Sequence, residues 1–176
     1  MLRRLLALLS LACACALAQA APAAHIADAV PQARLAGAGT FTWFTMKIYS
    51  AELWVGPQGY QAQAPFALDL RYARKLDGAK IADASAEQMA KIGAGSAAQR
   101  QAWLARMKAI FPDVNEGSRI TGVHMPGEGA RFYLDGKALG TVADPAFARA
   151  FFGIWLDPAT TAPALRTALL ANAAPP

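Results

Sequence analysis

The clearest indication of the fold comes from residues Arg119 to Leu156, RITGVHMPGEGARFYLDGKALGTVADPAFARAFFGIWL. This stretch holds three segments rich in β-branched and aromatic residues, separated by Pro-Gly-Glu-Gly and by Asp-Gly, and the second of these is a strong signal for a tight hairpin. Asp144 and Pro145 then provide an N-cap and a first helical position. The stretch therefore predicts a three-stranded antiparallel meander followed directly by a helix.

The chain before this stretch also begins with strands. Segments Thr40–Thr45 and Lys47–Val55 predict an antiparallel pair, and Phe66–Arg74 alternates apolar and polar residues as a third strand does. Alternation places one set of apolar side chains on the face that we expect to be buried: Tyr49, Ala51, Leu53, Val55, Phe66, Leu68, Leu70 and Tyr72. Asp69 and Arg71 are expected on the opposite, solvated face.

Two helices are predicted between these strands and the meander. Asp77 is expected to cap the first, and the second begins at a capping box formed by Ser96 and Gln99. A last helix is predicted near Pro163–Ala171. Strands and helices are thus segregated along the chain, which predicts an α+β domain: a large, mostly antiparallel sheet covered on one face by a helical layer.

The chain begins with the features of an export signal. Residues 1–20 carry two arginines near the start, an apolar run and a small-x-small site that predicts cleavage after Ala20. We therefore expect a periplasmic or secreted protein with a flexible lead-in over residues 21–32, one domain over residues 33–172 and a short tail over residues 173–176.

Composition excludes several classes of function. Both cysteines, Cys13 and Cys15, leave with the predicted signal, so the mature chain has no thiol for a disulfide, a nucleophile or a metal. Removing the signal also lowers the net charge from +5 to +3, without basic runs, so no nucleic-acid partner is expected. No further apolar run is long enough to span a membrane. We expect neither a metal nor a cofactor.

Two stretches carry a resemblance to a known family. They are LAGAGTFTWFTMKIYSAELW, Leu35 to Trp54, with its Gly-x-Gly segment ahead of Lys-Ile-Tyr, and FFGIWLDP, Phe151 to Pro158. The sequence resembles the bacterial secreted chalcone isomerase-like proteins over nearly all of the mature chain. The resemblance implies an open-faced β-sandwich with a ligand cleft between sheet and helices. It also implies kinship with plant isomerases and with plastid proteins that bind fatty acids.

The resemblance points to Tyr49 as a candidate ligand-binding residue. Tyr49 matches a tyrosine of the fatty-acid-binding relatives, and alternation places it on the apolar face. The family's first-strand arginine has no counterpart, because Thr40 and Phe41 stand near that position. Loss of this cation argues against cyclisation of a chalcone, which needs a positive charge beside the phenolate.

Two further candidates lie at the end of the third predicted strand. Tyr72 and Arg74 continue its inward series, and Arg74 could replace the missing cation at the mouth of the cleft. The alternative for Arg74 is that its side chain extends into solvent from the strand end.

Three functions stay open at this point. The leading expectation is a non-catalytic protein that binds a small apolar or amphipathic ligand, such as a fatty acid, in the cleft. The second is an isomerase or lyase that acts on an enone-like substrate with Tyr49 as donor. The third is a structural or partner-binding envelope protein whose cleft is filled by side chains. Nothing in the residues specifies a protein partner or an oligomeric state.

Overall fold

The computed structural model describes residues 21–175, so the predicted signal over residues 1–20 lies outside the described residues. The sheet has six strands, and each pairs in antiparallel fashion with the next in chain order. The strands are β1 (Arg34–Trp43), β2 (Met46–Val55), β3 (Phe66–Tyr72), β4 (Arg119–Met125), β5 (Gly129–Leu134) and β6 (Lys137–Val142). The predicted meander is thus part of a longer one.

Helices cover both faces of this sheet to different extents. They are α1 (Ala24–Ala29), α2 (Gly78–Lys91), α3 (Ala97–Ile110), α4 (Pro145–Leu156) and α5 (Pro163–Leu169). Helices α2 to α5 form the layer that encloses the main core, whereas α1 packs in a separate, smaller apolar cluster. The predicted α+β architecture is confirmed. None of the helices in the described part of the chain has the length and apolar character that a membrane span requires.

Aromatic side chains form the centre of the main core. Phe132 of β5 meets Phe151 of α4 edge-on, with ring centroids 5.1 Å apart, and Phe147 stacks on Phe151 at 5.6 Å. Such contacts add to the burial of the rings. The helical stripe predicted for α4 is therefore the element that fixes this helix on the sheet.

Gly37 lets helix α5 lie directly on β1. The Cβ atom of a side chain at this position would lie 2.1 Å from the carbonyl oxygen of Ala168 in α5, much closer than two non-bonded atoms can approach. The strand register also shifts between Leu35 and Gly37, which marks a bulge. The bulge and the close approach explain the Gly-x-Gly segment as a packing feature.

The segment predicted as a flexible lead-in is instead packed against the sheet. Ile26 and Val30 are fully buried, and they contact Trp54, Ala67 and Val123 on the face opposite the main helical layer. Ile26 lies in α1, and Val30 is the residue that caps its C-terminal end, where its N–H donates to the carbonyl oxygen of Ile26. Alanine-rich composition concealed this short apolar pair, and the prediction of flexibility over residues 21–32 is corrected accordingly.

The predicted tail over residues 173–176 is also joined to the domain. The carbonyl oxygen of Ala173 accepts a hydrogen bond from the backbone N–H of Tyr60 at 2.7 Å. The carbonyl oxygen of Ala174 accepts one from the guanidinium of Arg34. Residues 173 and 174 therefore close the end of the fold near β1.

One predicted helix cap is replaced by another residue. The capping box at Ser96 is present, but Asp77 makes no cap hydrogen bond to α2 and pairs instead with Lys80 at 3.0 Å. The N–H of Gly78 donates to the carboxylate of Asp113 at 2.8 Å. A residue from the segment after α3 thus caps α2, and it connects the two helices of the layer.

Candidate functional site

A cavity of about 380 Å³ lies between the sheet and the helical layer. Strands β1 to β4 form one wall, and α2 and α4 form most of the other. Its inner wall is largely apolar and includes Phe41, Ile48, Leu70, Ile120, Phe151 and Ile154. Exposed residues of α2, such as Lys80 and Lys91, and the half-exposed Trp43 of β1 mark its mouth. This volume and composition are typical of small-molecule sites.

Tyr49 projects into the cavity from β2. The indole N–H of Trp155 in α4 donates to its hydroxyl oxygen at 3.0 Å, so one lone pair of that oxygen is occupied. The hydroxyl proton of Tyr49 has no acceptor among the described residues. Burial raises the pKa of Tyr49 to about 12, an effect that the bond from Trp155 partly opposes. The side chain is therefore a neutral, oriented hydrogen-bond donor.

Tyr72 lies beside Tyr49 on the neighbouring strand β3. The two residues are register partners, and their rings meet edge-on with centroids 5.9 Å apart. Tyr72 is almost completely buried, and this burial, together with the nearby Tyr49, raises its pKa above the ordinary range. Its hydroxyl makes no hydrogen bond to another described residue. Both predicted tyrosines therefore line the same cavity.

The inner end of the cavity carries no cation from the described residues. Phe41, which stands near the family's arginine position, stacks on Tyr49 with ring centroids 5.2 Å apart. The cations of the lining are Lys80 and Lys91 at the mouth, and they pair with Asp77 at 3.0 Å and with Glu87 at 2.7 Å. An aromatic ring thus lies near the position of the arginine that the resemblance implies and that this sequence lacks.

Arg74 is not brought into the cavity. Strand β3 ends at Tyr72, so the alternation that predicted an inward side chain stops before Arg74. Its guanidinium donates instead to the thioether sulfur of Met46 at 3.0 Å, near the turn between β1 and β2. The structure therefore separates Arg74 from the two tyrosines with which it was grouped.

Trp155 contacts the site, although the sequence predicts it only as a residue of the core. Its helical spacing with Phe151 predicts a buried position, and both side chains are indeed buried. Both also line the cavity, and Trp155 reaches Tyr49 across 106 residues of sequence. The FFGIWLDP stretch that carried the resemblance was the available signal for this role.

The opposite face of the same strands holds a buried polar network. Asp69, predicted to be solvated, is only 2% exposed. Its carboxylate accepts hydrogen bonds from the hydroxyl of Thr121 at 2.7 Å and from Nε of Arg119 at 2.8 Å. His25 of α1 lies 2.9 Å from the Thr121 hydroxyl. Because that hydroxyl donates to Asp69, the bond requires a proton on Nε2 of His25. The helix α1 and Arg119 are what cover the carboxylate.

The fold and the cavity define a protein that encloses an apolar site between an antiparallel sheet and a layer of helices. The chain belongs to the chalcone isomerase-like family, whose profile matches residues 18–171. It is 28% identical over 135 residues to an uncharacterized protein of Haemophilus influenzae, an alignment that covers 76% of this chain and 66% of the relative's length.

A solved structure shares the fold. The crystal structure of the Arabidopsis thaliana fatty-acid binding protein AtFAP1 superimposes with a TM-score of 0.66, and the match covers 82% of this chain and 91% of that one. The sequences are 14% identical over this match. At this level of identity the likeness establishes the fold alone.

Proposed function

We propose that this protein binds a small apolar or amphipathic ligand in the cavity between the sheet and the helices. The observation that carries the proposal is an apolar cavity of about 380 Å³ into which Tyr49 and Tyr72 direct hydroxyls that have no acceptor among the described residues. Both hydroxyls can still donate a hydrogen bond into the cavity. A ligand oxygen would accept such a bond, and an open cavity favours this function over a cleft filled by side chains.

The charges around the cavity restrict how such a ligand lies in it. An ionised carboxylate at the inner end would meet only neutral tyrosines, and burying a charge without a partner is costly. A carboxylate is better placed at the mouth, where it stays in contact with water and where Lys80 and Lys91 each already pair with an acidic residue, with its alkyl chain inside. A neutral carbonyl or hydroxyl oxygen suits Tyr49. The fatty-acid binding protein with the same fold makes fatty acids the first ligands to test.

We also propose that the protein acts outside the cytoplasm. Support comes from the predicted signal over residues 1–20 and its cleavage site after Ala20. N-terminal sequencing of the protein from fractionated cells tests this part directly. A mature chain that begins at Ala21 in the periplasmic or secreted fraction is the expected result, and an uncleaved cytoplasmic chain would contradict it.

The ligand proposal is tested by what the purified protein carries and takes up. Native mass spectrometry before and after organic extraction should reveal a removable apolar ligand, and the extracted protein should bind palmitate or Prodan, a fluorescent naphthyl ketone. The proposal would be contradicted by a protein that carries no ligand when gently purified and that takes up neither palmitate nor Prodan.

Matched variants connect that uptake to the cavity. Ala84 and Ala90 both lie exposed on α2, but only Ala84 lines the cavity. We expect Ala84→Phe to weaken uptake of both probes because the ring enters the mouth, and Ala90→Phe to leave uptake unchanged. Equal uptake by the two variants would place the bound probe elsewhere on the molecule.

An isomerase or lyase is the second candidate, and the orientation of Tyr49 favours it. A hydroxyl held by Trp155 at 3.0 Å and free to donate is suited to the carbonyl oxygen of an enone as negative charge develops there. In a screen of enone substrates, Tyr49→Phe should then slow turnover without changing the fold. Absence of turnover by the native protein throughout such a screen would leave binding as the function.

A further inference from the structure

The large apolar side chains that are exposed in the described part of the chain gather at one place. Trp43, Phe44 and Met46 are 54%, 85% and 45% exposed, and all three belong to the turn between β1 and β2 or to the strand ends beside it. We call these three residues the hairpin tip. Scattered exposed apolar residues are ordinary, but a cluster of them marks a surface that contacts an apolar partner.

The turn that carries this apolar surface has an unusual backbone conformation. Phe44 has a φ of 53°, in the left-handed region that bulky residues rarely adopt. Its ring meets that of Trp43 edge-on at a centroid distance of 5.4 Å. Unfavourable backbone conformations of this kind are concentrated at functional sites. The turn thus presents two aromatic rings together at the end of the sheet.

Cations surround the hairpin tip. Lys47 follows Met46, the guanidinium of Arg74 lies 3.0 Å from the sulfur of Met46, and Lys75 is exposed next to Arg74. None of these three cations forms an ion pair within residues 21–175. The sequence from Gly39 to Ala51 contains no acidic residue. The surface around the tip is therefore positively charged as well as apolar.

The hairpin tip adjoins the mouth of the cavity. Trp43 belongs both to the tip and to the cavity lining. A ligand that leaves the cavity on this side meets the exposed aromatic rings first. An apolar ligand of low solubility would gain from a direct passage into another apolar phase at this point.

We propose that the hairpin tip docks on an anionic lipid membrane, with Trp43 and Phe44 in the interface and the surrounding cations against the headgroups. Tryptophan favours the interfacial region of bilayers, and Lys and Arg near a membrane are attracted to anionic lipids. The further idea that the cavity exchanges its ligand with that membrane rests on the proposed function, whereas docking itself does not.

The chemistry of the tip favours a membrane over a protein partner. Stable protein interfaces bury about 1,200–2,000 Å² in total, far more than three side chains supply. A second copy of this chain would bring Lys47 and Arg74 against the same cations of its partner. A lipid surface needs only a shallow apolar insertion and opposite charge, and both are present.

Vesicle co-sedimentation tests the docking. The native protein should bind vesicles made of equal parts phosphatidylglycerol and phosphatidylcholine, and bind pure phosphatidylcholine vesicles much more weakly. Binding to the anionic vesicles should decrease as salt rises, because the attraction between exposed charges is screened. No binding to the anionic vesicles, or equal binding to both kinds, would overturn the proposal.

Variants of the tip separate docking from ligand binding. Phe44 does not line the cavity, so Phe44→Ser should weaken vesicle binding about tenfold and leave Prodan uptake in solution unchanged. Neutralising Lys47 and Lys75 to Gln should weaken vesicle binding about fivefold or more for each charge. The matched control neutralises Arg106 and Lys137, which are exposed in other parts of the surface, and should have little effect.

Three other outcomes would each contradict one of the two proposals. Vesicle binding that is unaffected by Phe44→Ser would overturn the docking surface. Sedimentation velocity without lipid that reveals self-association abolished by Phe44→Ser would assign the tip to a second copy and also overturn it. A protein that docks on the anionic vesicles but takes up no probe would support docking and contradict the proposed function.

Discussion

The two faces of the central strands treat their polar groups in opposite ways. Under α1, the carboxylate of Asp69 is bonded to Thr121 and Arg119, and the network extends to His25. Under α2 and α4, Tyr49 and Tyr72 keep hydroxyl protons without acceptors in the described part of the chain. Satisfied buried networks stabilise a fold, whereas polar groups left open in an apolar cavity are available to a ligand.

Strand register explains how the same strands produce both faces. Tyr49 pairs with Tyr72 across β2 and β3, and three residues further along β2, Glu52 pairs with Asp69. An odd spacing puts the two pairs on opposite faces of a strand. A slip of one residue in either strand would exchange the side chains of the cavity and of the network. Substitutions on each face therefore test separately what that face contributes to stability and to binding.

The largest effect is expected from the network. Asp69→Ala should lower the free energy of unfolding by about 3 kcal/mol, because it leaves Thr121 and the partly buried Arg119 without their shared acceptor. Urea unfolding followed by circular dichroism measures the loss. Glu128→Ala is the control, because its ion pair with Arg131 is exposed and should contribute less than about 0.5 kcal/mol. Similar losses in both variants would show that the network stabilises the fold no more than an exposed ion pair does.

The next effect tests whether α1 belongs to that face. Ile26→Ala should lower the free energy of unfolding by about 2 kcal/mol, because its fully buried side chain packs between α1 and the sheet. The same urea experiment measures it, with Ala27→Ser on the exposed side of α1 as a control expected within about 0.5 kcal/mol. If Ile26→Ala is as stable as the native protein, residues 21–32 do not pack against the sheet and form the flexible lead-in that the sequence predicted.

Local patterns predicted most of the fold and one half of the site. Alternation in β2 and β3 placed Tyr49 and Tyr72 inward, and the Asp-Gly turn and the Ser96 capping box are where their residues indicate. Each of these signals lies within a few residues of the element that it determines. Local patterns therefore predict the direction of a side chain within a strand or a helix.

Long-range contacts account for what sequence reasoning missed. The burial of Asp69 depends on Arg119, 50 residues away, and the orientation of Tyr49 depends on Trp155, 106 residues away. The inward position considered for Arg74 is not found, because β3 ends two residues earlier than the alternation suggested, and the structure has the alternative, a side chain outside the cavity at the strand end. A pattern within one strand cannot determine which distant segment covers it or where the strand ends.

On the cavity face, a substitution should lower the free energy of unfolding less than the two substitutions on the α1 face do. It should instead weaken ligand binding. Tyr49→Phe leaves the indole N–H of Trp155 without its acceptor and should lower the free energy of unfolding by about 1 kcal/mol. Affinity for Prodan should decrease about fivefold because the ketone loses a hydrogen bond of about 1 kcal/mol. Tyr60→Phe, outside the cavity lining, is the control for both measurements. Unchanged Prodan affinity in Tyr49→Phe would show that Tyr49 does not contact the ligand oxygen.

The smallest effect is a dependence of stability on pH, because each face carries one histidine. Burial lowers the pKa of His25 on the α1 face and of His124, which stacks on Phe66 in the main core. A folded state that binds the proton more weakly than the unfolded chain loses stability as the pH falls below the ordinary pKa of about 6.5. Urea unfolding at about pH 7.5 and about pH 5.5 should therefore give a loss at the lower pH that is smaller than the effect of Tyr49→Phe. Replacing both histidines with Gln should remove that loss, and a native protein more stable at the lower pH would contradict the burial of these rings.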